Sequence, residues 1–243
     1  MGVRLRLHLT LEDIRDTKHR GEIDSLLRIT CARYDLSHAT FLALRFKSSS
    51  KHDPFYFTTY PEAWVDTYVA RNFFELDPLI GVSLAGLLPV DWESVDRTDR
   101  NVSLFFEEAL SHGVGPNGLT FPIRGPYGER AFFSVSSHFT QPDWADLRAL
   151  IINDLHVLSY YLHETILGVT GLRPVVRSKA LSRREKQCLE LLAAGQIHKQ
   201  IAATLEISES SVRLYLRTAR HKLGALTSHH AVARATILDL INI

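Results

Sequence analysis

Sulfur is scarce in this sequence, which has two cysteines, Cys31 and Cys188, and one methionine among 243 residues. Two lone cysteines cannot form the disulfide framework that stabilises small secreted proteins, and this favours a reducing compartment. The chain also lacks an apolar run long enough to cross a membrane, and its N-terminus lacks the apolar core of a signal peptide. We therefore expect a cytoplasmic protein without a membrane partner.

The sequence also lacks the patterns of several enzyme classes. It has no nucleophile elbow, P-loop or Rossmann glycine pattern. Ser137 and His138 are adjacent, but neighbours on a strand point to opposite faces and cannot form a catalytic pair. None of the twelve histidines has zinc-ligand spacing. We expect no enzymatic activity, no metal and no cofactor.

A strong net charge is absent as well, because the formal value is only +1, but the charges are unevenly distributed. Residues 171–243 contain 12 Lys and Arg against 5 Asp and Glu, whereas residues 1–170 contain 16 against 22. A basic C-terminal part behind an acidic N-terminal part suggests that the C-terminal part contacts nucleic acid.

Residues 181–223 have the pattern of three short helices separated by tight turns. Ser182, followed three residues later by Glu185, predicts a capping box, and Gly195 is typical of a helix end. After a second helix over about 197–205, Ser208 is placed to cap a third. That helix has one apolar stripe, formed by Val212, Leu216, Ala219 and Leu223. This order predicts a helix-turn-helix.

The other side of the third helix is basic, with Arg213, Leu214, Arg217, Arg220, His221 and Lys222. Arg213 and Arg217 are four residues apart and share a face, and arginine can bond the guanine edge with two hydrogen bonds. We predict that these two reach base edges and that Leu214 makes an apolar contact. Further predicted DNA contacts are Arg220, Lys199 and Ser210. The alternative is a basic face that is merely solvated.

The N-terminal part alternates helices with strands whose short connections favour antiparallel pairing. Helices are predicted over Leu11 to about Tyr34, Pro61 to Arg71, Val102 to Ser111 and Asp143 to about Leu167, and strands over Ala39 to Phe46, Phe55 to Thr58, Leu119 to Ile123 and Ala131 to Ser136. We expect an α/β/α sandwich around an antiparallel sheet.

The predicted domain boundary lies near residue 170, where two glycines and a proline follow the last long helical pattern. We assign residues 1–168 to the N-terminal domain, 169–178 to a linker and 179–243 to the C-terminal domain. A fourth helix over Ser228 to Leu240 would complete an all-α four-helix helix-turn-helix module.

Aromatic residues are concentrated in one stretch of the N-terminal domain. Trp64 and Tyr68 share a helix face with Tyr60 one turn earlier, and Asp77 and then Trp92 follow. One carboxylate beside aromatic N–H and O–H groups suits a small ligand with an apolar body and a polar head. Spacing alone favours the alternative, in which the aromatic stripe belongs to the core and Asp77 caps a turn.

The C-terminal module resembles the helix-turn-helix of LuxR-type regulators. The resemblance rests on residues 181–185 (LSRRE) and on Leu189, Gly195, Ile201-Ala202, Ile207-Ser208, Val212 and Lys222-Leu223-Gly224. Glu206 stands where that turn often has glycine, which is unfavourable if the backbone there is left-handed. Tyr215 stands where histidine is common.

The N-terminal domain resembles the autoinducer-binding domain of the same family, which has its signature residues at Trp64, Tyr68, Asp77, Pro78, Trp92 and Gly118. The resemblance implies an N-acyl-homoserine lactone as ligand. The Trp64 indole would donate to the lactone carbonyl, Asp77 would accept from the amide N–H, and Tyr68 would donate to the acyl carbonyl. Ser134 would help to hold the amide region, and Trp92 would pack against the lactone ring.

The wall around the acyl chain is not determined by the resemblance. Candidates are Phe41, Leu44, Phe57, Val65, Phe74, Leu79, Leu104, Phe105 and Phe132. The family also implies a homodimer, with the 143–167 helix as a candidate for its interface, double-stranded operator DNA, and RNA polymerase as a further partner.

Two other functions remain open at this stage. One is a regulator of the same build that responds to a different small molecule or to none. The other is an enzyme acting on lactones or acyl amides, with the DNA module as an accessory.

Overall fold

The computed structural model describes residues 3–45, 55–125, 128–172 and 180–242. The described residues within 3–125 and 129–172 belong to an N-terminal compact unit, and residues 180–242 belong to a C-terminal compact unit. Among the described residues, no helix is both long and apolar enough to span a membrane. Both cysteines are buried and free.

The N-terminal unit combines six α-helices with five strands, counted over the described ranges. The helices are α1 (Val3–Asp16), α2 (Ile23–Arg33), α3 (Glu62–Ala70), α4 (Pro78–Ala85), α5 (Arg100–Ser111) and α6 (Gln141–Thr170). The strands are β1 (His38–Arg45), β2 (Phe55–Thr58), β3 (Val90–Asp91), β4 (Asn117–Arg124) and β5 (Arg130–Ser137).

The strands form one antiparallel sheet in the order β2-β1-β5-β4-β3. The antiparallel pairing predicted for strands with short connections is confirmed for β4 and β5. The register places four hydroxyl residues side by side across the sheet, in the order Thr58, Thr40, Ser134 and Thr120. Because successive side chains on a strand point to opposite faces, all four lie on the same face.

The two faces of the sheet have different apolar cores. On one face, strand residues such as Phe41, Phe121 and Phe133 pack with residues of α1, α2 and α6. On the other, a smaller cluster around Trp64 and Trp92 includes residues of α3, α4 and α5. The predicted α/β/α sandwich around an antiparallel sheet is therefore confirmed.

The first predicted helix was wrong in its extent, because residues 11–34 are divided between α1 and α2. The break has a local cause: the Glu22 carboxylate accepts from the backbone N–H groups of Lys18 and His19, at 2.8 and 3.0 Å. The His19 backbone is extended (φ −128°), and a short 3₁₀ turn over Arg20–Glu22 then leads into α2.

Helix α4 and strand β3 were not predicted, although both position functional side chains. Asp77 caps α4, with Pro78 in its first turn and the Leu79 N–H bonded to the Asp77 carboxylate. Strand β3 has only two residues, and a 3₁₀ turn over Trp92–Ser94 follows it.

Helix α6 is longer than predicted and ends at Gly171, which has a left-handed backbone (φ 67°). The helix therefore includes residues 169 and 170, which we had assigned to the linker. Residues 173–178 of that predicted linker lie outside the described ranges. The exact domain boundaries remain predictions.

The C-terminal unit contains four helices among its described residues: α7 (Arg183–Ala193), α8 (His198–Leu205), α9 (Glu209–Leu223) and α10 (Ser228–Ile237). Their core includes the stripe predicted on α9, whose four residues are all buried. The predicted four-helix module is confirmed, although α10 ends at Ile237 and not at Leu240.

Candidate functional site

A cavity lies in the N-terminal unit between the sheet and helices α3, α4 and α5. It has about 680 Å³ of empty space, part of which is open to solvent. The structure brings together in its wall all six residues predicted to bind ligand: Tyr60, Trp64, Tyr68, Asp77, Trp92 and Ser134. Residues far apart in the sequence thus surround one space.

Five of the nine candidates for the apolar wall line the cavity: Val65, Phe74, Leu79, Phe105 and Phe132. Phe41 and Phe57 do not, because they face the core on the opposite side of the sheet. Leu44 is not part of the wall, and Leu104 is 43% exposed on the outer side of α5. The assignment of these four to the wall was wrong.

Sequence analysis missed eight residues that line the cavity, most of them on strands β1 and β2 or on helix α5. They are Thr40, Leu42, Tyr56, Thr58, Val69, Phe106, Ala109 and Val114. Alternation along β1 could have identified Thr40 and Leu42, since Ala39, Phe41 and Ala43 belong to the opposite core. Deciding which face of the sheet holds the cavity needed the order of the strands, because helices cover both faces.

Trp92 is held against β4 by a glycine. A Cβ atom at Gly118 would lie 2.5 Å from the Trp92 ring and 2.6 Å from the Val135 carbonyl oxygen. Gly118 is therefore a strand residue whose missing side chain leaves room for the indole. The indole is 3% exposed at one end of the cavity.

A hydrogen-bond chain runs from Trp92 to Ser134. The Trp92 indole N–H donates to the Thr120 hydroxyl at 2.9 Å, and the Thr120 and Ser134 oxygens are 2.7 Å apart. Either hydroxyl of this pair can be the donor, because the Thr120 oxygen has a second lone pair beside the one that accepts from Trp92. When Thr120 donates to Ser134, the Ser134 hydroxyl hydrogen is available to a ligand.

Trp64 offers a second donor to the cavity. Its side chain is 3% exposed and is surrounded by Tyr68, Phe73, Phe105 and His112. Within the described part of the chain, its indole N–H makes no hydrogen bond to the protein. The indole N–H is a donor only, so a ligand carbonyl in the cavity could accept its hydrogen.

Tyr68 and Asp77 form a buried pair in the same wall. The Tyr68 hydroxyl donates to the Asp77 carboxylate at 2.7 Å, while the other carboxylate oxygen accepts from the Leu79 N–H at 2.8 Å. Burial raises the pKa of Asp77 to about 6, although these hydrogen bonds oppose the shift. Burial and then the negative charge of Asp77 raise the pKa of Tyr68, so Tyr68 is a neutral O–H donor.

The raised pKa of Asp77 predicts that the free energy of unfolding of the ligand-free protein depends on pH below neutrality. The folded state holds the Asp77 proton to a higher pH than the unfolded chain does. The free energy of unfolding is therefore expected to fall by about 1 kcal/mol per unit as the pH rises from about 4 to about 6. Urea unfolding followed by tryptophan fluorescence would measure it, because all three tryptophans lie in the N-terminal unit. An identical pH slope in Asp77→Asn, which removes the group, would contradict the assignment.

Side-chain caps begin helices α7 and α9 of the DNA module. The Ser182 hydroxyl accepts from the Glu185 N–H and the Glu185 carboxylate accepts from the Ser182 N–H, so the predicted capping box is present. Ser208 accepts from the Ser211 N–H and caps α9 as predicted. Between α8 and α9, Glu206 has a left-handed backbone, with φ 54° and ψ 46°. The condition under which glutamate is unfavourable at this position is therefore met.

Glu206→Gly is expected to stabilise the C-terminal unit by about 0.5–1 kcal/mol, because glycine removes the clash of Cβ in the left-handed region. Thermal unfolding of the full chain by far-ultraviolet circular dichroism would detect it, and tryptophan fluorescence should not change. Glu206→Ala is the matched control, since it keeps Cβ and should give no such gain. Equal stability of the glycine and alanine variants would contradict the prediction.

The exposed face of α9 carries the predicted base-contacting residues. Arg213, Leu214 and Arg217 are exposed, with Leu214 at 59%. Arg213 is paired on the surface with Glu209 at 3.1 Å, an interaction weak enough for DNA to displace. Lys199 and Ser210 are exposed as well, and the Ser210 hydroxyl contacts the Ser208 hydroxyl at 2.7 Å.

Two basic residues differ from the predicted arrangement. Lys222 lies nine residues after Arg213, about half a turn away on the opposite side of the helix, where it bonds the buried Glu185 at 2.8 Å. Placing it on the DNA-facing side was therefore wrong. Arg220 lies at the edge of the exposed face and is half-buried.

Among the described residues, no group of three or more His, Cys, Asp or Glu side chains could hold a metal ion.

Comparison with family models gives one match in each unit. A model described as "Autoinducer binding domain" matches residues 20–166, and one described as "Bacterial regulatory proteins, luxR family" matches residues 179–235. The two matches contain the cavity residues and the helix-turn-helix, respectively.

Related proteins support the same grouping. The chain is 42% identical over 176 residues to the transcriptional activator protein RaiR of Rhizobium etli, covering 72% of this chain and 73% of RaiR. It is 29% identical over 210 residues to the transcriptional activator protein VanR of Vibrio anguillarum, covering 85% and 86%.

Solved structures show the same fold. Escherichia coli SdiA matches with a TM-score of 0.66 at 21% identity over 98% of both chains. Burkholderia cenocepacia CepR2, described as an N-acylhomoserine lactone dependent LuxR family transcription factor, matches with a TM-score of 0.59 at 16% identity, covering 69% of this chain and 98% of CepR2.

Proposed function

This chain belongs to the LuxR family of bacterial transcriptional regulators, and on that premise we propose that it is a quorum-sensing regulator that binds an N-acyl-homoserine lactone and operator DNA. It has an autoinducer-binding domain and a LuxR-type DNA-binding domain. Members of the family are regulators and not enzymes, and we propose that this protein leaves its ligand intact.

The observation that carries the proposal is the set of polar groups around the cavity. The Trp64 indole N–H makes no hydrogen bond within the described residues, Ser134 offers a hydroxyl that can donate or accept, and Asp77 is a buried acceptor beside Tyr68. An acyl-homoserine lactone has two carbonyl oxygens and one amide N–H in its head region. These groups are complementary to two or three donors and one acceptor held close together.

The predicted roles follow from this complementarity. Trp64 donates to the lactone carbonyl and Asp77 accepts from the amide N–H. Ser134 donates to the acyl carbonyl, and Tyr68 does so when its hydroxyl turns from Asp77 to the ligand, while Trp92 packs against the lactone ring. Tyr60, beside His38 with ring centroids 5.5 Å apart, closes the wall near Asp77. The apolar remainder of the wall, including Leu42, Phe74 and Phe132, surrounds the acyl chain.

We propose that the protein acts in the cytoplasm as a homodimer in which α6 takes part in the interface. Leu150, Val157 and Tyr161 are 58%, 44% and 43% exposed, and their spacings of seven and four residues put them in one stripe. Two helix-turn-helix modules in a dimer suit a two-fold operator with half-sites about one helical turn apart. Since RaiR and VanR are named transcriptional activators, contact with RNA polymerase is part of the proposal.

A ligand-dependent DNA assay tests the proposed function. The full chain is purified with and without an acyl-homoserine lactone, and its thermal midpoint and its affinity for selected operator DNA are measured. Binding of lactone to the folded state is expected to raise the midpoint and to change operator affinity. Equal midpoints and equal DNA affinity with every lactone would support a regulator that responds to another molecule or to none. Recovery of a hydrolysed lactone would support an enzyme.

A further inference from the structure

Two threonine hydroxyls in the cavity wall have no role in holding the ligand's head. Thr40 on β1 and Thr58 on β2 are direct partners across the sheet, and both side chains line the cavity. Their strands also supply Leu42 and Tyr56 to the same wall. The threonine pair is therefore a polar patch in the part of the cavity that is otherwise suited to an alkyl chain.

The hydrogen bonds of this pair leave one donor and one acceptor facing the cavity. The Thr40 hydroxyl donates to the Thr58 oxygen, which also accepts from the Tyr60 N–H at 3.1 Å. Both lone pairs of Thr58 are thereby used, while its own hydrogen is not committed within the described residues. The lone pairs of Thr40 are likewise uncommitted there.

The sheet order fixes where this patch lies along a bound ligand. Trp92, which packs against the lactone ring in the proposed function, follows β3 at one side of the sheet, and Ser134 lies on β5. Thr40 is the direct partner of Ser134 on the next strand, about 4.8 Å away, and Thr58 is one strand further. An acyl chain that extends from Ser134 in the direction away from Trp92 therefore passes Thr40 and Thr58. In this pose the acyl carbons just beyond the carbonyl come nearest to Thr40, and an oxygen on the third acyl carbon, two bonds beyond the carbonyl carbon, could reach the pair.

We infer that Thr40 and Thr58 form a specificity site for an oxygen on the third acyl carbon, with a preference for hydroxyl. A hydroxyl group can accept from Thr58 and donate to Thr40. A keto oxygen can only accept from Thr58, and an unsubstituted chain leaves both threonines without a partner from the ligand. The expected order of affinity is 3-hydroxy, then 3-oxo, then unsubstituted. This inference rests on the proposed function, because it assumes that the ligand is an acyl-homoserine lactone.

A competition experiment tests the order within one sample. The full chain is expressed with an equimolar mixture of 3-hydroxy, 3-oxo and unsubstituted acyl-homoserine lactones of equal chain length. The lactones extracted from the purified protein are then quantified by mass spectrometry. The wild type is expected to contain the 3-hydroxy ligand in about 5- to 10-fold excess over the unsubstituted one, the ratio that corresponds to one or two neutral hydrogen bonds.

Variants in which valine replaces threonine test whether the two hydroxyls cause the preference, because valine keeps the shape of threonine and removes its hydroxyl. In Thr40→Val, the Thr58 hydroxyl still donates, so the 3-hydroxy and 3-oxo ligands should be taken up equally and above the unsubstituted one. In the double variant Thr40→Val/Thr58→Val, all three should be equal. Thr40→Ser keeps the hydroxyl and should retain the order. Thr30→Val is the matched control, because Thr30 is a buried threonine of α2 on the other face of the sheet.

The outcomes separate this inference from the proposed function. Uptake of lactones without the expected order, or an order that both valine variants retain, would overturn the inference and leave the proposed function in place. Absence of every lactone from soluble wild-type protein would overturn the proposed function, and the inference with it.

Discussion

Asp77→Asn is expected to weaken binding of the lactone by about 100-fold, corresponding to the loss of a hydrogen bond to a charged acceptor worth about 2–3 kcal/mol. The asparagine oxygen can still accept from the Leu79 N–H and cap α4, so the local fold is kept. Its NH₂ group then faces the ligand's amide N–H, and two donors confront each other where the carboxylate had been an acceptor. Titration calorimetry with one lactone would measure the loss.

The same substitution should not destabilise the ligand-free protein near pH 7. Burial of the Asp77 carboxylate is unfavourable, as its raised pKa indicates, and asparagine removes that charge. A loss of binding together with an unchanged or higher unfolding midpoint therefore separates recognition from folding. Asp99→Asn is the matched control, because Asp99 caps α5 in the same way at 2.8 Å and lies outside the cavity. Affinity of Asp77→Asn within about threefold of wild type would contradict the role of the carboxylate.

Arg217→Ala is expected to reduce specific operator binding by about 10- to 100-fold, the range for loss of one bidentate contact to a base. Arg217 is exposed on α9, and the described structure gives it no ion pair within the protein, so its guanidinium is free to bond a guanine. Lactone binding should be unchanged, because Arg217 belongs to the other unit. A mobility-shift assay with an operator selected from random DNA would measure the effect.

The control for Arg217 must separate base recognition from general charge. Arg184→Ala removes an exposed arginine from α7 of the same unit. It should lower specific and non-specific binding by similar factors, because phosphate contacts carry no sequence information. Equal specific-to-non-specific ratios in Arg217→Ala and wild type would contradict direct readout by Arg217.

The sequence predicted best those features that depend on neighbouring residues. The Ser182–Glu185 capping box, the Ser208 cap and the buried stripe of α9 follow from spacings of three and four residues, and each is present. The resemblance drew attention to Glu206, where the turn often has glycine, but only the structure shows that its backbone is left-handed. Helix α4 was missed because Asp77-Pro78 lies between two helical segments, and the sequence analysis did not identify Asp77 as the cap of the second one.

The features that the sequence could not determine depend on which strands are neighbours. Phe41 and Thr40 alternate on β1, and helices cover both faces of the sheet, so either residue could have faced the ligand. The row of Thr58, Thr40, Ser134 and Thr120 comes from three separate strand pairings. The side of α9 on which Lys222 lies follows from helix geometry alone. Its partner Glu185 lies 37 residues away in the sequence, so the ion pair itself depends on how α7 and α9 pack.

The most direct test of this account is to identify what the cavity retains. The full chain is expressed with acyl-homoserine lactones of several chain lengths and purified, and an organic extract is analysed by mass spectrometry. We predict that one intact lactone is recovered in an amount close to one per chain, and that Asp77→Asn retains far less of it. Soluble, folded protein that retains no lactone of any length would contradict the central claim.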